Sequence, residues 1–562
     1  MKKLLVTALA LALIAGMLAG CGGKGTDSSG GAGEADGSGK VRDKIVYALW
    51  NSPSGVFQPL IVDDEYNKAV IEFVFETLLD YDNEMNLVPR LAKSYDVSED
   101  GLLLTFHLND NIKWHDGEPF TAEDVAFTFN GLAHKDYTGP RYSDVESLVG
   151  AKECHEGKTD TVAGIKVIDP LTVSFEFKES YPPGLAKIGA DRAIIPKHIW
   201  ENIPVGEWGN ATKQMNEAVG CGAYKLAKFE AGQYVELAAN EEFFQGPPAT
   251  KNVIFKVSNQ ETVVAELVKG EIDIADISSL KAQDLKTLEE KGIKIADYPG
   301  ITVQYMGMNL REPIFQDKRV RQAITYGIDR KLMVEKLLEG HGTLINAPIL
   351  PTSWAYPQGG ALNEYAHNVE KAKELLAEAG WKDRNGDGIA EDQSGKPFSV
   401  TLSYPIGNKM REMSAPIIQA NLKQIGIDVK LDMMEFGALL DKVMANHEFD
   451  LYLMGSSLDT DPDPKPIWHS DASSDKKGES AWNIVAFRNP QADQLIMEGL
   501  ATTDTQKRAE AYYKFAELVN DQAPQVFLYC PDIMKAYNPK LLNYTPGTFH
   551  DYEDFTKWEI VD

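Results

Sequence analysis

Cysteine is scarce in this chain, four residues in 562, too few for a disulfide scaffold. Positive charge is short as well. Lys and Arg number 56 against 84 Asp and Glu, a formal net charge of −28. That balance argues against nucleic acid as a partner and against lying flat on anionic lipid. No segment after Leu18 is apolar enough to span a bilayer. No unit of 20–50 residues repeats, which excludes solenoids and propellers. Catalytic signatures are equally thin. His155-Glu156 and His447-Glu448 lack the second histidine of a zincin, and no Gly-x-Ser-x-Gly elbow occurs. Gly37-Ser-Gly-Lys40 lacks the first glycine of a phosphate loop and is followed by Val41 rather than Ser or Thr. No catalytic residue, metal-ligand set or cofactor is assigned, and the enzyme reading falls behind a binding one.

What the chain does have begins at its first residues. Lys2 and Lys3 precede an apolar stretch, Leu4 to Leu18, in the layout of a secretory signal. Leu18-Ala-Gly-Cys21 resembles the lipobox of bacterial lipoproteins. The resemblance implies a signal peptide over 1–20 and a Cys21 that carries acyl chains, two or three of which anchor stably where one is marginal. An ordinary cleaved signal, with Cys21 incidental, is the plainer alternative. Residues 22–40 are mostly Gly, Ser and Asp and read as a flexible tether, so 21–43 forms a lipidated N-terminus and spacer. Losing Lys2 and Lys3 takes the charge to −30, 54 basic against 84 acidic residues. With Cys21 modified, Cys154, Cys221 and Cys530 remain. At least one of the three must then be unpaired, and a Cys154–Cys221 bond is left open.

About 520 residues exceed one core, so two or three domains are expected. No low-complexity linker follows the tether, so the domains interleave. In the first half, Ile45–Leu49, Leu102–Leu108, Thr172–Phe177 and Val253–Val257 read as strands. Thr121-Ala-Glu-Asp124 is a capping box that starts a helix burying Val125, Phe127, Phe129 and Leu132. The second half alternates: helix Val369–Ala379, strand Val400–Tyr404, helix Ala415–Gln424, strand Ile427–Leu431, helix Ala438–Ala445, strand Asp450–Met454. Such alternation implies right-handed crossovers and a largely parallel sheet covered by helices. Ligands of open sheets bind beyond the carboxyl ends of the strands.

That rule selects the loop Gly455-Ser456-Ser457-Leu-Asp459-Thr-Asp461-Pro-Asp463-Pro464. Glycine permits close approach, prolines stiffen the loop, and three carboxylates within five residues could hold a cationic group such as a primary amine. A solvated acidic turn is the competing reading. Asp383-Arg-Asn385-Gly-Asp387-Gly388 imitates the start of a calcium loop, but Ser394 stands at its twelfth position, and a tight turn fits better. Met306, Met308, Met433 and Met434 read as core rather than metal ligands.

The stretch Ser98–Asn130, SEDGLLLTFHLNDNIKWHDGEPFTAEDVAFTFN, resembles the signature of family-5 solute-binding proteins, the dipeptide, oligopeptide and nickel receptors of ATP-binding-cassette importers. The likeness continues in order through VGCGAYKL (Val219–Leu226), GEIDIA (Gly270–Ala275), DKRVRQAITYGIDRKLM (Asp317–Met333), KELLAEAGW (Lys373–Trp381) and NLKQIGIDVKL (Asn421–Leu431). It implies an α/β, two-lobed periplasmic-binding-protein-like fold (type II, cluster C), with three interleaved domains around a ligand cleft. The expected division is a lobe I core from 44–75, 180–304 and 526–562, an additional domain at 76–179, and lobe II at 305–525. Peptide binders of the family place an aspartate after the strand that here ends at Met454, and the register makes it Asp459, partner of the ligand's α-amine. Where dipeptide binders carry a Trp, Ser456 and Ser457 stand, consistent with a roomier pocket. Gly455, Ser456, Ser457 and Asp461 from the same loop join the expected site. Trp50, Tyr305 and Trp468, at or just beyond strand ends, could cover ligand side chains.

The reading is a monomeric lipoprotein, exported and anchored to the outer face of the cytoplasmic membrane. It would capture peptides, oligopeptides above all, and deliver them to a permease and its ATPase subunits, with no cofactor and no catalysis of its own. Alternatives are the same scaffold holding an oligosaccharide, a metal chelate or an opine-like solute, and a surface hydrolase using the cleft.

Overall fold

The computed structural model describes residues 40–562 apart from 63, 83–85, 140, 479–480, 550 and 562. The leader, Cys21 and most of the tether lie outside the described residues.

One strand organises the rest. Gln525–Tyr537 runs for thirteen residues, and its first six are all buried. Its first half pairs antiparallel with Thr302–Met308 and its second half with Ile274–Asp276 and Lys294–Pro299. The twelve-stranded sheet is therefore two half-sheets joined along this strand. Each half carries its own helices and core, and together they make the two lobes. The chain passes between lobes near Gly300 and Pro531, where the Gly300 amide donates to the Pro531 carbonyl at 3.2 Å.

In lobe I, Lys44–Leu49 lies parallel between Asn252–Val257 and Ile274–Asp276. Helix Glu65–Val74 is capped by Asp64, whose carboxylate accepts from the Tyr66 and Asn67 amides. Its end is gripped by the VGCG segment, where the Gly222 amide donates to the Val74 carbonyl at 2.9 Å. A separate antiparallel sheet holds Ala92–Val97, Leu103–Leu108, Thr172–Glu176 and Ile165–Asp169. Helix Ala122–Ala133 packs on it, Phe129 meeting Phe175 edge-on at 5.2 Å, and the Thr121–Asp124 capping box forms in full.

Lobe II departs from a largely parallel sheet. Asp428–Met434, Ser399–Pro405 and Leu451–Ser457 are parallel, as helical crossovers between consecutive strands require. Thr302–Met308 runs antiparallel to both its neighbours, Leu451–Ser457 and Gln525–Tyr537, because these strands come from distant parts of the chain with no crossover to orient them. The helix expected over 415–424 starts at Lys409, since Asn408 supplies the cap by accepting from the Arg411 amide, and Pro416 sits inside it. Met306 and Met308 are core residues, but Met433 is half exposed, on the outward face of its strand. Cys154, Cys221 and Cys530 are buried and free, so the Cys154–Cys221 bond left open by the sequence does not form. The Asp383 carboxylate accepts from the Gly386 and Gly388 amides, the bonding of a tight turn.

Candidate functional site

The strand Leu451–Ser457 carries the loop into the cleft. One edge pairs with Thr302–Met308 along its whole length. The other meets Ser399–Pro405 only at Leu451 and Tyr452, so beyond Tyr452 that edge has no strand partner among the described residues. Gly455 allows a close approach, though by side chains: a Cβ there would stand 2.6 Å from Gln304 Nε2 and 2.7 Å from an Arg411 terminal nitrogen. These two side chains are themselves joined, Arg411 Nε donating to Gln304 Oε1 at 3.0 Å.

The three loop carboxylates have different surroundings. Asp461 accepts both terminal nitrogens of Arg508 at 2.8 Å each. That guanidinium is itself buried beside the Trp354 and Tyr512 rings. Asp463 takes the Lys465 amide at 2.9 Å. Asp459 has no hydrogen bond or ion pair among the described residues. Its carboxyl is open to cleft water but enclosed by the walls, and this desolvation raises its pKa. Lys187 and Arg192 of the opposite lobe pull it down again, and Asp144 and Asp461 oppose them. Arg192 is already bonded to Asp144, and Lys187 lies over the Tyr181 ring and shares a hydrogen bond with that side chain. A carboxylate on a braced loop with no hydrogen-bond partner can accept a charge-assisted bond from a cation.

Three cavities meet at this loop, and Thr460 lines all of them. The one holding Asp459 and Trp50 measures about 610 Å³, with Tyr66, Phe549 and Tyr552 in its walls. A second, of about 300 Å³, runs under helix Glu65–Val74, and a third, of about 610 Å³, reaches Asp461 and Trp354. Gly455, Ser456, Tyr305 and Trp468 line a different, smaller apolar pocket of about 60 Å³, which shares Leu458 with the Asp459 cavity. Trp468 is buried there against Phe487, Phe515 and Phe527. Ser457 faces Thr302, their hydroxyls 2.9 Å apart. The expected residues thus divide among three cavities, Asp459 and Trp50 in one, Asp461 in another and Gly455, Ser456, Tyr305 and Trp468 in the small apolar pocket, while Ser457 lines none of them. Sequence reasoning missed the opposite wall, Glu72, Lys187, Arg192 and Tyr552. No local spacing marks these residues, because another lobe contributes them.

A family model described as "Bacterial extracellular solute-binding proteins, family 5 Middle" matches residues 86–478. The oligopeptide-binding protein AppA of Bacillus subtilis (strain 168) is 32% identical over 565 residues, spanning 100% of this chain and 99% of that protein. The dipeptide-binding protein of Escherichia coli (strain K12) is 27% identical, over 91% of this chain and 94% of its own. The structure of AppA in complex with a nonapeptide superposes with a TM-score of 0.73 at 31% identity, covering 92% of this chain and 99% of that one. NikZ from Campylobacter jejuni in complex with Ni(L-His) gives 0.72 at 27%, with the same coverage.

Proposed function

The chain belongs to the bacterial extracellular solute-binding proteins of family 5, and on that premise we propose that it captures peptides in the cleft between its lobes and passes them to the permease of an ATP-binding-cassette importer. The observation that carries the reading is Asp459: a carboxylate with no hydrogen bond or ion pair among the described residues, in the wall of a cavity of about 610 Å³ and next to Thr460, on a loop clamped by Asp461 and Arg508. It receives the peptide's α-ammonium, whose burial without a partner would be costly. The open strand edge past Tyr452 supports extension of the peptide backbone along it by strand addition. Cavities of this size enclose ligands well beyond a dipeptide, which favours oligopeptides. Asp461 acts here as the brace of the loop rather than as a ligand contact. Trp50 covers the ligand from lobe I, and Gly455, Ser456, Tyr305 and Trp468 shape a side-chain pocket.

A metal chelate is the second reading, since NikZ is similar to this chain and its structure is a complex with Ni(L-His). Against it, the four cavities around the loop are lined by no histidine or cysteine among the described residues. The protein binds and releases without chemistry, as a monomer, and is held at the outer face of the membrane by acyl chains on Cys21. None of the described helices is long and apolar enough to cross a bilayer. Native mass spectrometry of the purified protein tests the ligand class. Bound masses that fragment as peptides are expected. A carbohydrate or a metal chelate in their place overturns the reading.

A further inference from the structure

Helix Glu65–Val74 turns Glu65, Lys68 and Glu72 toward the cleft, one stripe at helical spacing. Lys68 and Glu72 line both the Asp459 cavity and the neighbouring one of about 300 Å³, together with Thr460, Phe549 and Tyr552. Glu72 therefore stands at the seam of the two, across from the loop that carries Asp459.

Of the cations that line the cavities beside Glu72, all are engaged but Arg141, whose buried Nε has no hydrogen-bond partner among the described residues. Lys68 Nζ lies 2.6 Å from Glu65, and Arg90 lies 2.8 Å from Asp80 and 3.9 Å from Glu76. Arg192 is bonded to Asp144, and Lys535 sits 2.8 Å from Asp551 and 3.3 Å from Asp276. Glu72 makes no hydrogen bond or ion pair among the described residues. It is open to cavity water yet walled in by protein, and this desolvation, with Asp551, Asp80 and Glu65, pushes its pKa up to about 8 against the pull of Lys68. Lys68 could swing from Glu65 to Glu72, but a lysine–glutamate pair on one helix face is weak and competes poorly with a ligand charge in a closed cleft. Two carboxyl groups with no hydrogen bond or ion pair among the described residues, Asp459 and Glu72, thus face one cavity from opposite lobes.

We propose that Glu72 is a specificity residue, and that the preferred ligands are peptides with a lysine or arginine side chain near their N-terminus. This rests on the peptide reading above. Asp459 takes the α-ammonium, and the side-chain cation crosses the seam beside Thr460 to reach Glu72. A peptide with only its terminal amine leaves Glu72 a neutral acid in the closed cleft, whereas a basic side chain beside it favours the charged form and gains a charge-assisted pair.

The test is calorimetry with penta-alanine and variants carrying lysine or its uncharged analogue norleucine at position one, two or three. The parent protein and Glu72→Gln are compared. At one position at least, lysine should bind the parent about tenfold or more tighter than norleucine. Glu72→Gln should abolish that preference while leaving norleucine peptides unchanged, and the preference should persist when the peptides are N-acetylated. Glu72→Lys, checked for folding by its thermal melt, should favour glutamate at the same position. Equal affinity for lysine and norleucine at all three positions, or a lysine preference that survives Glu72→Gln, overturns the proposal and leaves the peptide reading standing. If no peptide binds the parent at all, the peptide reading falls first.

Discussion

Replacing Asp459 by alanine separates a binding role from a structural one. In the unliganded protein the carboxylate has no partner, and desolvation holds its pKa above the ordinary value. A carboxyl whose folded pKa exceeds its unfolded one gives up stability as pH rises past the unfolded value. At neutral pH, removing Asp459 should therefore leave the melting temperature unchanged or raise it. Affinity should move the other way. Losing one partner of a buried charge pair costs about 2–5 kcal/mol. Lys187 faces Asp459 and already offsets part of its charge, which places the expected loss at the lower end, about 2–3 kcal/mol or roughly 30- to 150-fold in Kd. N-acetylation of the peptide removes the same charge from the other side. Calorimetry on the two-by-two set of parent and Asp459→Ala with free and acetylated peptide gives the coupling directly. Acetylation should weaken the parent by about tenfold or more and the variant by far less. Independent, additive losses would show that the amine is held elsewhere, and a lowered melting temperature would show that Asp459 supports the loop instead.

Asp461→Ala should behave oppositely at the level of stability. It strands the buried Arg508 guanidinium, at a cost of about 3 kcal/mol, and differential scanning calorimetry should show a drop of several degrees even without ligand. Gly220→Ala should cost at least about 3 kcal/mol and be read as poor folding of lobe I, because a Cβ there would lie 1.8 Å from the Val74 carbonyl oxygen, backbone that cannot swing away. Cys21→Ser should release the folded protein from the membrane fraction, and retention after high-salt washing would refute the lipid anchor. Binding of a lysine peptide should release a proton near pH 7. Glu72, facing Lys68, Glu65, Asp80 and Asp551, is largely protonated below about pH 8 when empty and charged when paired. Affinity for such peptides should therefore rise from pH 6 to 8 and then level, and calorimetry in buffers of different ionisation enthalpy should report the proton.

Much of the local architecture could be read from short spacings. Thr121 and Asp124 form their capping box because both partners lie within one helical turn. The alternation through the second half marked three parallel strands, since a crossover helix orients its two strands wherever the rest of the chain goes. The order of motifs from Ser98 to Leu431 carried the family, and with it the two lobes and the cleft. Spacing also singled out the loop at 455–464, where glycine, proline and aspartate cluster for reasons internal to a turn. It could not say which aspartate is free. Arg508, 47 residues beyond Asp461, makes that choice by clamping one carboxylate and leaving Asp459 bare. Nor could it show that Thr302–Met308 closes against the site strand, or that Glu72, 387 positions before Asp459, faces the same cavity. Charge pairing and cavity walls depend on distance in space. The strand Gln525–Tyr537, which joins the lobes from the far end of the chain, brings those distances into being only when the whole protein has folded.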